Sequence, residues 1–185
     1  MALRLHTKWN TGGPKSIEQR ASVVGVHIWR VAQETAKHME KEEFRIGSDY
    51  QFLAIVTEFA AFLLQAVDRL VYQKLGDEDR GRLVNAVGQH LAITMKSNAL
   101  DWFGTGDHAG NFIAILNQRL ADYAEFDFGA GEPSYAMMRY LGDKVADAMA
   151  ATDPKWVLEQ VVDIEAPDAV QTLRRTLGQV LGLSF

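Results

Sequence analysis

Carboxylate and imidazole side chains are the groups with which a helical protein could hold a catalytic metal pair. A carboxylate-bridged pair requires glutamates from several helices and a Glu-x-x-His step on two of them. No glutamate in this chain is followed by histidine at that spacing, and Glu34 and His38 are one residue too far apart. A metal-dependent enzyme would instead have to bring together at least three residues of a scattered set: Glu34, Glu58, Asp68, His27 and His90. This is the least favoured of three functional hypotheses, and we predict no metal and no cofactor.

Nucleophilic chemistry has even less support in the sequence. The chain has no cysteine, which excludes disulfides, a thiolate nucleophile and cysteine-ligated zinc or iron–sulfur sites. It also has no Gly-x-Ser-x-Gly elbow, and its serines fall at predicted helix starts, on helix faces or at the terminus. We predict no catalytic residues, and enzymatic activity is not expected.

One glycine-rich stretch, residues 103–111, resembles a phosphate-binding loop only superficially. A phosphate cradle needs a preceding strand and either a lysine or a full dinucleotide fingerprint behind the glycines. Neither is present. The stretch is therefore interpreted as a connection between two helices, with Thr105 or Asp107 capping the second of them.

Aromatic residues and methionines crowd the middle and the end of the chain, and they could line a pocket for a small apolar ligand. The candidate ligand-binding residues are Trp102, Phe112, Tyr123, Tyr135 and Met138. Aromatic side chains more often fill a core. The pocket is therefore the alternative functional hypothesis.

A strip of small and polar residues interrupts the most apolar stretch of the chain, residues 50–72. On a helix, the spacings of three and four align Gln51, Ala54, Glu58, Ala61, Gln65, Asp68 and Tyr72. The preferred interpretation is that this strip faces solvent and that Glu58 is an ordinary exposed carboxylate. If the strip instead faces another helix or subunit, Ala54 and Ala61 allow close approach and Glu58 needs a partner. A catalytic or ligand-contacting Glu58 is the remaining alternative.

The rest of this stretch is apolar almost all the way round, which is typical of a helix at the centre of a bundle. A membrane-spanning helix needs about 20 predominantly apolar residues. Glu58 lies in mid-run, where a charge costs about 3 kcal/mol on insertion scales, and Asp68 and Arg69 close the run. We therefore predict a central soluble helix over about residues 48–75, with no membrane association.

Helical periodicity and turn signals predict an all-α, single-domain antiparallel bundle of about six or seven helices around that central helix. The first helix is predicted from Ser16 to about Phe44, and later starts are marked by residues 77–79 and by Asp153-Pro154. Pro133 is placed near the first position of another helix, Gly76 at the end of the central one, and Pro167 at a break. No strands are predicted. Residues 1–15 are read as a flexible basic arm and residues 16–185 as the helical domain.

Charge and composition restrict the partners and the compartment. Hydrophobic residues make up 48% of the chain and charged residues 23%, which is ordinary for a globular protein, and the net charge is −5. Residues 1–30 carry five basic residues against Glu18, and such an arm could touch phosphate or an acidic partner. A nucleic-acid binder is nevertheless unlikely for an acidic chain. We expect a cytoplasmic protein, because cysteine is absent and the N-terminus has no signal-peptide pattern.

These observations favour an intracellular interaction protein that associates with itself or with another protein through an apolar helix face. Two surfaces motivate the hypothesis: the strip at Ala54, Glu58 and Ala61, and an apolar group beside the buried seam of the first helix that looks exposed. That group consists of Val23, Val26 and Trp29.

Overall fold

The computed structural model describes residues 15–72, 74–150 and 154–185. Apart from Lys15, the predicted basic arm lies outside the described residues. Seven α-helical segments are described: α1 (Ile17–Lys41), α2 (Asp49–Val71), α3 (Asp77–Phe103), α4 (His108–Ala124), α5 (Tyr135–Met149), α6 (Pro154–Gln160) and α7 (Ala166–Leu181). A π-helical turn, Val161–Glu165, joins α6 directly to α7. The predicted all-α single-domain bundle is confirmed.

The central position predicted for the apolar helix is also confirmed. α2 packs against α1, α3, α4, α5 and α7. Four large side chains along its middle have no exposed surface: Ile55, Phe59, Phe62 and Leu63. α2 is the one described helix long and apolar enough to cross a membrane, and 78% of its most apolar window is buried inside the protein. The helix is thus enclosed by other helices, as the core helix of a soluble protein is.

Local side-chain signals set most of the helix starts. Ser16 caps α1 in a full capping box whose other member is Gln19. Glutamine fills this role as glutamate does, because its side-chain oxygen accepts a hydrogen bond from the backbone N–H of Ser16 at 3.0 Å. Ser48 caps α2, and Asp107 caps α4 by accepting from the backbone N–H of Gly110.

The positions predicted for Gly76 and Pro133 are wrong. Gly76 is not the end of the central helix, which stops at Val71; it is the N-cap residue of α3. Pro133 does not open α5, because it pairs with Phe128 in a short antiparallel hairpin of β1 (Phe128–Gly129) and β2 (Glu132–Pro133). Ser134 caps α5 instead. Two-residue strands carry no alternating pattern, so strand signals in the sequence could not reveal them.

The predicted chain break at Pro167 is also wrong, because the helix continues through this residue. The residue lies in the first turn of α7, directly after the π turn. A proline there needs no N–H partner, and the wider π turn gives room to a ring that would otherwise press on the carbonyl four residues earlier. The π turn buries Glu165, which accepts hydrogen bonds at 2.8 Å from Gln160 Nε2 and at 2.7 Å from His38 Nδ1.

A close contact between α1 and α3 depends on a glycine. A Cβ atom built on Gly25 would lie 2.7 Å from Cδ2 and 3.1 Å from Cβ of His90. Real Cβ atoms do not approach so closely, so only glycine lets the His90 side chain rest on the α1 backbone.

We expect Gly25→Ala to destabilise the protein by about 1–3 kcal/mol, because the added methyl overpacks this contact. Gly81→Ala is the matched control: it lies in α3 with no atom near its missing Cβ, so alanine should stabilise by about 0.5–1 kcal/mol. Urea unfolding measures both free energies of unfolding. Equal effects of the two substitutions would contradict this account, and His90→Ala in the Gly25→Ala background should recover part of the loss.

His38 should link stability to pH. The hydrogen bond and the charge of Glu165 raise the pKa of His38 above its ordinary value near 6.5, and Glu42 adds to the effect. The contribution of the protonated imidazole is therefore fully present below that value and is lost as the pH rises through the higher folded pKa. His38→Gln should cost more free energy of unfolding at about pH 5.5 than at about pH 8.5.

The control for this experiment is His27→Gln. Burial lowers the pKa of His27, so protonation of its imidazole destabilises the fold increasingly as the pH falls. His27→Gln should therefore cost less free energy of unfolding at low pH than at high pH, which is the opposite trend. If His38→Gln lowered the free energy of unfolding equally at both pH values, His38 would not be the group that links stability to pH.

Candidate functional site

A buried ion pair joins the centre of α2 to α4. Arg119 donates from Nε to Glu58 Oε2 at 2.7 Å and from Nη2 to Glu58 Oε1 at 2.9 Å. Glu58 is 7% exposed, and the side chain of Arg119 is 14% exposed. The hydrogen bonds that Arg119 donates to Glu58 raise the pKa of Arg119 above its ordinary value. This two-point geometry is the strongest that an arginine and a carboxylate can form.

Further polar groups extend this pair towards α5. Asp122 lies 3.7 Å from Arg119 Nη1 and accepts a hydrogen bond from the Tyr140 hydroxyl. Burial, together with this hydrogen bond, raises the pKa of Tyr140 to about 12. The ring of Tyr123 packs edge-on against Tyr140, with ring centroids 5.2 Å apart. The Tyr123 hydroxyl is buried without a hydrogen-bond partner among the described residues, and burial raises its pKa well above 10. The network is a polar bridge between three helices.

The solvent-facing interpretation of the strip on α2 is wrong for its middle. Glu58, Ala61 and Gln65 are buried, Ala54 is half-buried, and only the far end at Tyr72 is exposed. At Glu58 the strip faces another helix, which is α4 of the same chain. Asp68, near the end of the strip, pairs with Arg80 Nε at 2.9 Å.

The second expected surface is also largely interior. Trp29 has no exposed surface, Val26 is 9% exposed, and Val23 is half-buried. The expectation that these residues are exposed is therefore wrong for Val26 and Trp29. α1 contacts α2, α3 and α7, so more than one of its faces is covered. Periodicity reveals one buried seam, whereas a helix packed on several sides buries most of its circumference.

The five predicted ligand-binding residues do not meet at one place. Phe112 and Tyr123 are packed in the core, Met138 is half-buried and Tyr135 is exposed. Trp102 alone lines the surface depression described below. Binding of a small apolar ligand by these five residues stays a prediction.

The residues named for a metal site do not converge either. Within residues 15–72, 74–150 and 154–185, no group of three or more histidine, aspartate or glutamate side chains is placed to hold a metal ion. Two of the named carboxylates are already used, since Glu58 binds Arg119 and Asp68 binds Arg80.

An aromatic patch lies at the end of the bundle where α1 and α3 finish and α2 begins. Tyr50 contacts Phe103 with ring centroids 5.9 Å apart, Phe103 contacts Trp102 at 6.1 Å, and Trp102 contacts Phe52 at 6.2 Å. Tyr50 is 73% exposed and Phe103 is 40% exposed. These four residues are called the aromatic patch.

A depression open to solvent, of about 330 Å³, adjoins the patch. Phe52 and Trp102 form its aromatic wall, and two carboxylates, Glu40 and Asp49, stand at its margin. Ile46, Gly47 and Ser48 of the α1–α2 connection complete it. The rest of the patch stands outside this depression.

Arg119 is the functional side chain that the sequence analysis missed, although a signal for it exists. Phe112, Leu116, Arg119 and Tyr123 follow the spacing of one buried helix face. A positively charged side chain on such a face needs a negatively charged partner, and Glu58 in the central helix is that partner. The patch was missed for another reason: Trp102 was assigned to a possible ligand pocket or to the core, and Tyr50 was assigned to no site. A side chain at a helix end has fewer covering neighbours than one in mid-helix, however apolar it is.

Removing Arg119 should leave Glu58 buried without a partner, so Arg119→Met should cost about 3–5 kcal/mol of unfolding free energy. The double variant Glu58→Leu/Arg119→Met should recover most of this loss, because it leaves no unpaired charge. The exposed pair of Arg82 and Glu18 provides the control, and Arg82→Met should cost about 0–1 kcal/mol. Urea unfolding of the four proteins measures these differences; a small effect of Arg119→Met alone would show that the pair is not structural.

Comparisons of this chain with protein-family models, curated proteins and solved structures give no match.

Proposed function

We propose that this protein is a polypeptide-binding module whose aromatic patch docks a partner segment carrying both apolar and basic side chains. The observation that carries the proposal is the ring series from Tyr50 through Phe103 and Trp102 to Phe52, in which Tyr50 and Phe103 are exposed. As expected from the sequence, the proposed function is association with a polypeptide partner. The proposed binding surface lies at a helix end, whereas the sequence suggested the faces of α1 and α2.

Exposed aromatic area supports the apolar half of the proposal. Contiguous apolar surface of this kind, rimmed by polar groups, marks interaction sites in soluble proteins. Tyrosine, tryptophan and phenylalanine are the residues that interfaces favour, because each buries a large area at little entropic cost. Leu100, also exposed, precedes Phe103 by three residues on α3, and the exposed Ile93 precedes Leu100 by seven, about two turns, so apolar side chains continue along that helix.

Charge complementarity supports the basic half. The connection from Glu40 to Asp49 holds four carboxylates against Lys41 and Arg45. Asp101 precedes Trp102 directly. Acidic groups around an apolar patch speed the approach of a basic partner and oppose an acidic one. A foreign basic segment is therefore favoured over a second copy of this chain, whose net charge is −5.

A synthetic peptide in which lysine alternates with leucine and tryptophan provides a direct probe. We expect the full-length protein to bind it, and the double variant Tyr50→Ser/Phe103→Ser to bind about tenfold more weakly or worse, because the variant loses two aromatic anchors. Fluorescence anisotropy of the labelled peptide measures the affinity. A matched peptide with glutamate in place of lysine should not bind.

Tyr72→Ser is the control variant. Tyr72 is an exposed tyrosine like Tyr50, but it follows the C-terminal end of α2, so its loss should leave peptide affinity unchanged. Equal weakening by Tyr72→Ser, or equal binding of the acidic peptide, would refute the proposal. Sedimentation provides a second test: a dimer of the wild type that Tyr50→Ser/Phe103→Ser abolishes would make a second copy the occupant and would overturn the assignment of a basic segment.

A further inference from the structure

We infer that the depression beside the aromatic patch is a pocket for a single alkylammonium group, the end of a lysine side chain. This inference rests on the proposed function, since the lysine would belong to the docked segment. It assigns one part of the surface to the charged group and leaves Tyr50 and Phe103 to the apolar side chains.

The wall of the pocket suits a cation on an alkyl stem. Phe52 and Trp102 present two rings with centroids 6.2 Å apart and planes inclined at 56°. Both rings are half-buried, so they are fixed in place by the core behind them. An ammonium group within about 6 Å of a ring centroid is attracted by the negative face of the ring, most strongly for tryptophan. The lysine stem can lie against the same rings.

The charges at the margin have the right sign and are not engaged elsewhere. Within the described part of the chain, the carboxylates of Glu40 and Asp49 have no side-chain partner, and no basic side chain lines the depression. The C-terminal ends of α1 and α3 lie here with the N-terminal end of α2. The C-terminal ends of α1 and α3 carry negative partial charge, and the N-terminal end of α2 carries positive partial charge. The carboxylate of Asp49 offsets the positive charge at the α2 end, so the local field favours a cation.

The depression is small and open to solvent, so it fits one side chain better than a larger molecule. A volume of about 330 Å³ is at the lower limit of ligand pockets. Because the depression opens to solvent, a side chain can enter while its backbone stays on the neighbouring patch.

Binding of n-butylammonium to the ¹⁵N-labelled full-length protein tests the pocket without any peptide. The Trp102 indole N–H signal, assigned with Trp102→Phe, should shift in a saturable way, whereas the anion butanesulfonate at the same ionic strength should cause no saturable shift. Glu40→Gln/Asp49→Asn should weaken n-butylammonium binding about tenfold, because two nearby opposite charges are lost. Asp77→Asn/Glu78→Gln removes the same net charge at the opposite end of α3 from Trp102 and should change the affinity by no more than about twofold.

No saturable shift with n-butylammonium would overturn the pocket, and so would equal weakening by the two double variants, because the effect would then be one of net charge alone. The two proposals fail separately. If the lysine peptide binds through Tyr50 and Phe103 while n-butylammonium does not perturb Trp102, the docking surface stands and the lysine pocket is wrong. If n-butylammonium binds and the peptide does not, the pocket stands and the proposed function is wrong.

Discussion

The enclosure of α2 is the constraint on which the structure depends. A helix that is apolar over most of its circumference must be covered on all sides, and five other helices do so. One carboxylate, Glu58, is carried into that interior, where an unpaired charge would be severely destabilising. Arg119 on α4 neutralises it with two parallel hydrogen bonds, so burying α2 also fixes the position of α4. Hydrophobic burial and one ion pair therefore act together to select a single arrangement of these helices.

The stabilising groups and the candidate binding groups occupy different places in the bundle. The polar bridge from Glu58 through Arg119 and Asp122 to Tyr140 lies between helices, with Glu58 buried and the other three side chains half-buried. The aromatic patch lies at one end, where helices begin and finish and where the neighbouring helices cover less surface. Because mid-helix positions largely serve to enclose α2, the aromatic patch lies at a helix end.

Helix starts were more predictable from the sequence than helix ends and breaks. Asp107 caps the helix that either it or Thr105 was expected to cap, because the bond between a cap side chain and the backbone is local. Gly76 and Pro133 were misplaced because each residue is compatible with more than one turn. Pro167 was misread because its place inside a continuous helix depends on a π turn, and that turn is held partly by the contact of Glu165 with the distant His38.

The sequence alone determined that the chain is helical and that its most apolar helix lies at the centre, because periodicity and local capping are properties of neighbouring residues. Only the tertiary structure decided which side of each helix is covered. Glu58 and Trp29 were expected at the surface and are buried, whereas Trp102, expected in a ligand pocket or in the core, contributes to a surface patch. The physical reason is that burial depends on which other helices pack against a residue, and those contacts join residues far apart in the chain, as Glu58 and Arg119 are.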